Sequence, residues 1–91
     1  LGVTVAELDA KQRQELDIQQ PGGVYVEAVE EGPAQKAGIR EGDVILKINN
    51  QWVKDAAGFR EMVKDLPAGR SVAVLVHRSS GPLFLALRLP E

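Results

Sequence analysis

The chain has 91 residues, enough for one domain spanning residues 1–91, because at this size roughly two-thirds of the unfolded chain's surface can be buried. Eleven Lys and Arg residues against thirteen Asp and Glu residues give a net charge of -2 with the signs interspersed. This balance argues against a nucleic-acid partner or an anionic membrane surface. No cysteine is present, which excludes a disulfide framework and thiol chemistry.

Hydrophobic residues make up 44% of the chain, but no apolar run approaches the roughly eighteen residues of a membrane span. The first residues also lack the charged and apolar regions of a signal peptide. We expect the chain to be a piece of a longer protein, so a missing signal says nothing about where that protein resides.

The N-terminal third predicts a strand, a short helix and a second strand. Residues 1–5 alternate between apolar and small or polar side chains, which is the period of a half-buried strand. Asp9, followed three residues later by Gln12, is typical of a capping box and predicts a helix over about residues 10–16. A Pro-Gly-Gly break at residues 21–23 then precedes an alternating strand over 24–29.

Residues 32–50 carry the clearest local signals. Pro33 suits a first helical position and Gly38 a left-handed C-cap, so residues 33–37 are predicted to form one helical turn. Gly42 is expected to supply a positive φ in the turn at residues 41–43, and residues 44–46 are consecutively apolar, as in a strand covered on both faces. In the turn after that strand, Asn50 tolerates the left-handed region that glycine usually occupies.

The C-terminal half predicts a short strand, a helix and a closing hairpin. Trp52 and Val53 begin the short strand, and Asp55 is the expected N-cap of a helix over residues 56–66. The apolar face of this helix repeats at helical spacing and consists of Phe59, Met62, Val63 and Leu66. Strands over 72–77 and 83–89 flank a turn at 79–82, with four leucines of the last strand on one face.

No catalytic or metal-binding constellation is apparent in the sequence. His77, the only histidine, falls in a predicted strand among valines and leucines, where a solvent-facing side chain is expected. Ser71, Ser79 and Ser80 occupy turn or strand-start positions that favour local hydrogen bonds. No pair of histidines or cysteines offers metal ligands, so we expect neither an enzyme nor a cofactor.

The run Gly-Pro-Ala-x-x-Ala-Gly-Ile-x-x-Gly-Asp-Val-Ile-x-x-Ile-Asn-Asn at residues 32–50 resembles the core signature of PDZ domains, in particular those of bacterial HtrA/Deg-type serine proteases. Leu1-Gly2-Val3 resembles the carboxylate-binding loop of that family, and the similarity covers nearly the whole chain. Asn50 stands where glycine is usual, and Trp52 stands where proline or a polar residue is common. The resemblance implies an α+β fold, a partly open antiparallel β-sandwich or barrel capped by two to three helices.

The resemblance also implies a groove between the first strand and helix 56–66, where an extended peptide adds to the strand edge. The implied peptide-binding residues are Leu1, Gly2, Val3, Thr4, Val5, Ala56, Phe59, Arg60 and Val63. Phe59 and Val63 could equally belong to the core, because so apolar a helix must bury most of its stripe. The small Ala56 implies an apolar preference upstream, and Trp52 is expected to be a surface side chain that covers Val53.

By resemblance, the parent would be a periplasmic serine endopeptidase acting on misfolded proteins, with its catalytic domain outside this chain. Its partners would be C-terminal or unfolded polypeptide segments, the protease domain and a neighbouring PDZ domain. The start Leu-Gly-Val-Thr-Val-x-x-Leu, together with a chain that ends just past the last predicted strand, favours the second PDZ domain of such a protein. Two alternatives remain: a docking module that binds no free peptide, and a PDZ domain of an intramembrane protease or secretion component.

Overall fold

The elements follow the predicted order in a computed structural model that describes residues 2–19 and 21–90. The strands are β1 (Val3–Glu7), β2 (Val24–Val29), β3 (Val44–Ile48), β4 (Gln51–Trp52), β5 (Ser71–Arg78) and β6 (Gly81–Arg88). The helices are α1 (Ala10–Glu15), α2 (Pro33–Ala37) and α3 (Ala56–Lys64).

The strands form one antiparallel sheet in the order β1-β2-β3-β5-β6, with β4 paired to β3 beside this path. β1 and β6 lie at opposite ends of that order, so the sheet is not closed. α2 packs near β6, whereas α3 lies beside β1. The α+β architecture with a partly open antiparallel sheet and three helices is therefore confirmed.

β3 is covered on both faces, as its consecutive apolar residues predict. Val44, Ile45 and Leu46 are each at most 1% exposed. Ile45 belongs to the main core together with Phe59, whereas Val44 and Leu46 pack with Ile18 in a second cluster on the other side. The segment after α1 thus covers the outer face of the sheet, which gives β3 an apolar neighbour on each side.

The turns around β3 have the backbone conformations expected from their residue types. Gly38 ends α2 at φ 101°, and Gly42 has φ 91° in the turn before β3. After β3, Asn49 and Asn50 have φ values of 51° and 65°. Asparagine at position 50 therefore occupies the left-handed region directly, at a smaller steric cost than most other side chains would incur.

Several element ends differ from the sequence-based expectations. α3 ends at Lys64, two residues before the predicted end, and α1 ends at Glu15 because Leu16 is its C-cap. The closing hairpin turns on the two residues 79–80 alone, since Arg78 pairs with Gly81. Pro82 consequently lies inside β6, where an edge strand tolerates the missing N–H.

Candidate functional site

A groove of about 330 Å³ runs between strand β1 and helix α3. Its floor is apolar, because Val5 and Phe59 are 6% and 3% exposed, whereas Arg60 is exposed at its rim. The lining residues are Val3, Thr4, Val5, Phe59, Arg60 and Val63. All six belong to the set that the resemblance implied.

The groove side of β1 is a free strand edge. In the part of the chain that the structure describes, β1 pairs only with β2, and the Gly2 carbonyl accepts a hydrogen bond of 2.7 Å from the Glu30 N–H on that side. Because successive residues of a strand point their backbone groups in opposite directions, the N–H and C=O of Val3 face away from β2. These groups can pair with an added strand.

Gly2 has a backbone conformation that other residues rarely adopt. Its φ is 83°, and a Cβ atom at this position would lie 3.2 Å from the Glu30 carbonyl oxygen. Glycine therefore allows the chain to turn into β1 while staying close to the end of β2. Leu1, the other residue expected before the strand, lies outside the described residues.

Phe59 both packs in the core and lines the groove, two roles that its sequence position left open. Its side chain packs in the main core and also forms part of the groove floor. Val63, one helical turn further on, is half-buried against the same core and lines the groove as well. Met62 and Leu66 pack against the core without lining the groove.

Ala56 lies at the start of α3, beyond the residues that line the groove. It is 6% exposed, and its N–H donates a hydrogen bond of 2.6 Å to the Glu7 Oε1 atom. The neighbouring cap is local, because Asp55 Oδ1 accepts a 2.7 Å hydrogen bond from the Gly58 N–H. Glu7 was not among the expected site residues. Its position two residues after Val5 is a sequence signal that could have placed it on the same strand face.

Arg60 supplies positive charge at the groove rim. Within residues 2–19 and 21–90, its side chain has no hydrogen-bond or ion-pair partner. The arginine fork can therefore meet a carboxylate or a backbone carbonyl of a bound chain.

His77 is not solvent-facing as its strand position suggested. It is half-buried, and its Nε2 lies 2.6 Å from the carbonyl oxygen of Leu16. A carbonyl can only accept, so Nε2 carries the proton and donates this bond. The histidine therefore ties the segment after α1 to β5. Across the described part of the chain, no cluster of His, Cys, Asp and Glu has the arrangement of a metal site.

Trp52 lies away from the groove, in a separate cleft that also involves Pro21 and Val53. The indole is 52% exposed, and the Lys47 ammonium lies 4.6 Å from its ring centroid, within cation–π range. Val53, the next residue in the chain, is 1% exposed. The tryptophan is thus a surface side chain, as expected, and whether it covers Val53 stays a prediction.

Comparison with known proteins identifies the class to which this fold and groove belong. The family model described as PDZ domain matches residues 1–89, and the chain belongs to this family. A relative from Pseudomonas putida (strain W619), named "Probable periplasmic serine endoprotease DegP-like", is 43% identical over 91 residues. A relative of the same name from Hahella chejuensis is 40% identical over 89 residues.

The match to the Pseudomonas protein covers 100% of this chain but 19% of that protein. The match to the Hahella protein covers 98% of this chain and 19% of that protein. Among solved structures, the HtrA-type protease AlgW with a decapeptide superposes with a TM-score of 0.83 at 28% identity, covering 99% of this chain and 28% of AlgW. The HtrA3 PDZ domain bound to a phage-derived ligand has a TM-score of 0.79 at 24% identity, which shows the shared fold; 97% and 81% of the two chains are covered. The resemblance to HtrA/Deg-type PDZ domains is confirmed.

The chain is a PDZ domain, and it spans about a fifth of the length of those DegP-like relatives. The expected periplasmic location agrees with the names of these relatives. Within residues 2–19 and 21–90, none of the three helices is long and apolar enough to span a bilayer.

Proposed function

We propose that residues 1–91 form a single peptide-binding PDZ domain that takes C-terminal or extended apolar segments into the groove between β1 and α3. The observation that carries this proposal is the apolar groove beside the free edge of β1. An extended segment pairs its main chain with that edge, while alternate side chains enter the groove. The solved relative described as the HtrA-type protease AlgW with a decapeptide supports peptide binding as the role of the domain.

The proposed contacts divide according to chemistry. The backbone N–H groups around Gly2 hold the terminal carboxylate, and the apolar floor receives the last side chain. The small side chain of Ala56 offers no hydrogen bond upstream, which favours apolar residues there. The proposed binding residues are Leu1, Gly2, Val3, Thr4, Val5, Ala56, Phe59, Arg60 and Val63.

The proposal extends to the parent protein. We infer a periplasmic serine endopeptidase of envelope protein quality control, in which this domain tethers unfolded substrates or regulates the attached protease. Its partners within that protein are the protease domain and a neighbouring PDZ domain, this chain being the second. The names of the DegP-like relatives support this inference.

Paired peptides with the same apolar C-terminal residue, one a free acid and one amidated, test the binding mode. The free acid should bind with a dissociation constant on the order of 0.1 mM. The amide should bind at least about tenfold more weakly, because a charge-assisted hydrogen bond contributes about 1.5 to 3 kcal/mol. Amide chemical-shift titration measures both constants and places the responses on Gly2 to Val5 and on Phe59 to Val63.

Two substitutions to threonine give a matched comparison. Val63→Thr places a hydroxyl in the groove and should weaken binding of the free acid, whereas Phe84→Thr alters a side chain that is 66% exposed on β6, outside the groove. Equal responses to acid and amide, or shifts confined to Trp52 and the turn at residues 79–80, would favour a docking module that binds no free peptide.

A further inference from the structure

A second groove lies at the opposite end of the sheet from β1, between helix α2 and strand β6. Its volume is about 430 Å³, and its lining includes Lys36 and Ala37 of α2 together with Ala86 and Arg88 of β6. We call it the β6 groove. β6 is the last strand of the order β1-β2-β3-β5-β6, so this groove, like the one beside β1, combines a strand edge with a flanking helix.

The outer edge of β6 presents unpaired backbone groups. The Leu89 N–H donates a hydrogen bond of 2.8 Å to the Arg70 carbonyl, and the pairing of β5 with β6 continues this register toward the hairpin. Because successive residues of a strand direct their backbone groups to opposite sides, Phe84, Ala86 and Arg88 direct theirs away from β5. Within residues 2–19 and 21–90, these groups have no hydrogen-bond partner. They can pair with an added strand.

This edge carries little of the protection that exposed edge strands usually have. β6 extends over eight residues, and Arg88 is the only charged residue among them. Pro82 removes an N–H only near the hairpin end of the strand. Leu83 and Phe84 are 40% and 66% exposed. A long strand edge with exposed apolar side chains favours pairing with another polypeptide segment.

The cations of the β6 groove indicate the charge of that segment. Lys36 and Arg88 are both exposed, and in the part of the chain that the structure describes neither side chain has a hydrogen-bond or ion-pair partner. Leu87 and Leu89 are buried in the main core, so Arg88 projects from the opposite face of β6, whereas Lys36 extends from α2 on the core side. An added strand therefore has a cation on each face, and no acidic residue belongs to the described lining.

We propose that the β6 groove is a second docking site, separate from the groove beside β1, which takes an extended acidic segment of a partner polypeptide by strand addition. The main chain of that segment pairs with the backbone of Phe84, Ala86 and Arg88. Its carboxylates lie near Arg88 on one face and near Lys36 on the other. A second copy of this chain fits less well, because its β6 would bring a further arginine and no carboxylate.

Two blocked peptides test this site, each as long as the eight-residue β6, acetylated at the N-terminus and amidated at the C-terminus. One alternates valine with glutamate and the other valine with lysine, and neither has the terminal carboxylate proposed for the groove beside β1. The glutamate peptide should shift the amide resonances of Phe84, Ala86 and Arg88 and leave those of residues 3–5 unchanged. The lysine peptide should bind at least about fivefold more weakly, because like charges replace two exposed ion pairs.

Variants separate the charge of the β6 groove from its strand edge. Arg88→Gln combined with Lys36→Gln should weaken binding of the glutamate peptide about fivefold. The matched control Lys11→Gln removes an exposed charge from α1, outside this groove, and should leave the affinity unchanged. Ala86→Pro deletes an N–H that faces away from β5 and should also weaken binding about fivefold. If Ala86→Pro does not fold, the double glutamine variant decides alone.

The outcomes concern this site separately from the groove beside β1. Unshifted β6 amides, or equal affinity for the two blocked peptides, show that the inference is wrong, whether or not free-acid peptides bind beside β1. Shifts of β6 that appear when the domain alone is concentrated identify a second copy as the occupant, and the inference is then also wrong. Saturation with a free-acid apolar peptide should leave the β6 response intact, and competition between the two peptides would contradict a separate site.

Discussion

The buried carboxylate of Asp43 shows how a single charged residue is accommodated in this small core. Asp43 is 3% exposed, and its oxygens accept hydrogen bonds from Arg78 Nε at 2.9 Å, Arg78 Nη2 at 3.0 Å and the Arg40 N–H at 3.0 Å. Arg78 Nη2 also donates to the Gly38 carbonyl. The pair therefore ties the end of β5 to the turn before β3 and to the C-cap of α2.

Removing one partner of this pair should be costly. Arg78→Met is expected to lower the free energy of unfolding by about 3 kcal/mol, because it leaves a buried carboxylate without its counter-charge. Denaturant unfolding measures the loss. Arg88→Met, at an exposed position on β6, is the matched control and should change stability by less than about 0.5 kcal/mol.

A double variant distinguishes the pair from other effects of the mutation. Asp43→Asn combined with Arg78→Met should cost less than the sum of the two single changes, since the second change removes a group that the first left unpaired. Simple additivity would show that the two side chains are not coupled.

The contribution of Arg78 to the stability of this pair depends on pH in a defined way. The hydrogen bond to Asp43 raises the pKa of Arg78 above its usual value, burial opposes this shift, and the charge of Asp43 adds to it. Because the folded-state pKa is raised, the arginine's contribution is complete below the ordinary arginine pKa and is lost only as the pH rises through the folded-state value. Between neutral and moderately alkaline pH, the arginine should therefore contribute a constant amount to stability.

At the scale of elements, α2 and β3 are joined by a turn that depends on Gly38. Its φ of 101° lies in the left-handed region, and a Cβ there would meet only Leu85 Cδ2, at an ordinary distance of 3.7 Å. The space around Gly38 is thus sufficient for a side chain. Backbone strain, and not crowding, is what disfavours other residues at this helix end.

Gly38→Val should therefore destabilise the domain by about 1 to 2 kcal/mol through strain at positive φ. Gly38→Asn should cost clearly less, since asparagine tolerates this region better than a β-branched residue does. Thermal unfolding of the two variants provides the comparison. Equal melting temperatures for valine and asparagine would contradict backbone strain as the cause.

The groove is also a property of two elements together. β1 contributes a free edge, because β2 alone pairs with it within the described residues, and α3 contributes the apolar side chains of Phe59 and Val63. Phe59 satisfies the core and the groove at once because it lies where the two meet. Helical spacing revealed the stripe, but it did not distinguish the side chains that line the groove from those that only fill the core.

At the scale of the whole molecule, the isolated domain should lack hydrolytic activity. The only histidine is held by the Leu16 carbonyl on the β5 side of the sheet, and neither it nor a serine contributes to the groove lining. Assays of the purified domain on casein and on simple esters should remain at background. Activity that copurified with the domain and disappeared in His77→Ala would overturn this expectation.

The sequence by itself determined the elements and the family. Local preferences settle the cap at Asp9 and the left-handed positions of Gly38 and Asn50, because each depends on a few neighbouring residues. The run of apolar residues at 44–46 likewise predicted a strand that is covered on both faces. The run at residues 32–50 was specific enough to indicate a PDZ domain. The resemblance also selected the groove residues from Val3 to Val5, which periodicity alone does not distinguish from an ordinary edge strand.

Only the tertiary structure decided the contacts between residues far apart in the chain. The Asp43–Arg78 pair, the bond from His77 to Leu16 and the link from Glu7 to Ala56 join positions separated by 35, 61 and 49 residues. Local periodicity carries no record of such partners, since each forms only when packing of the sheet brings two elements together. For this reason the sequence predicted that a groove exists, while the folded chain decided where that groove ends.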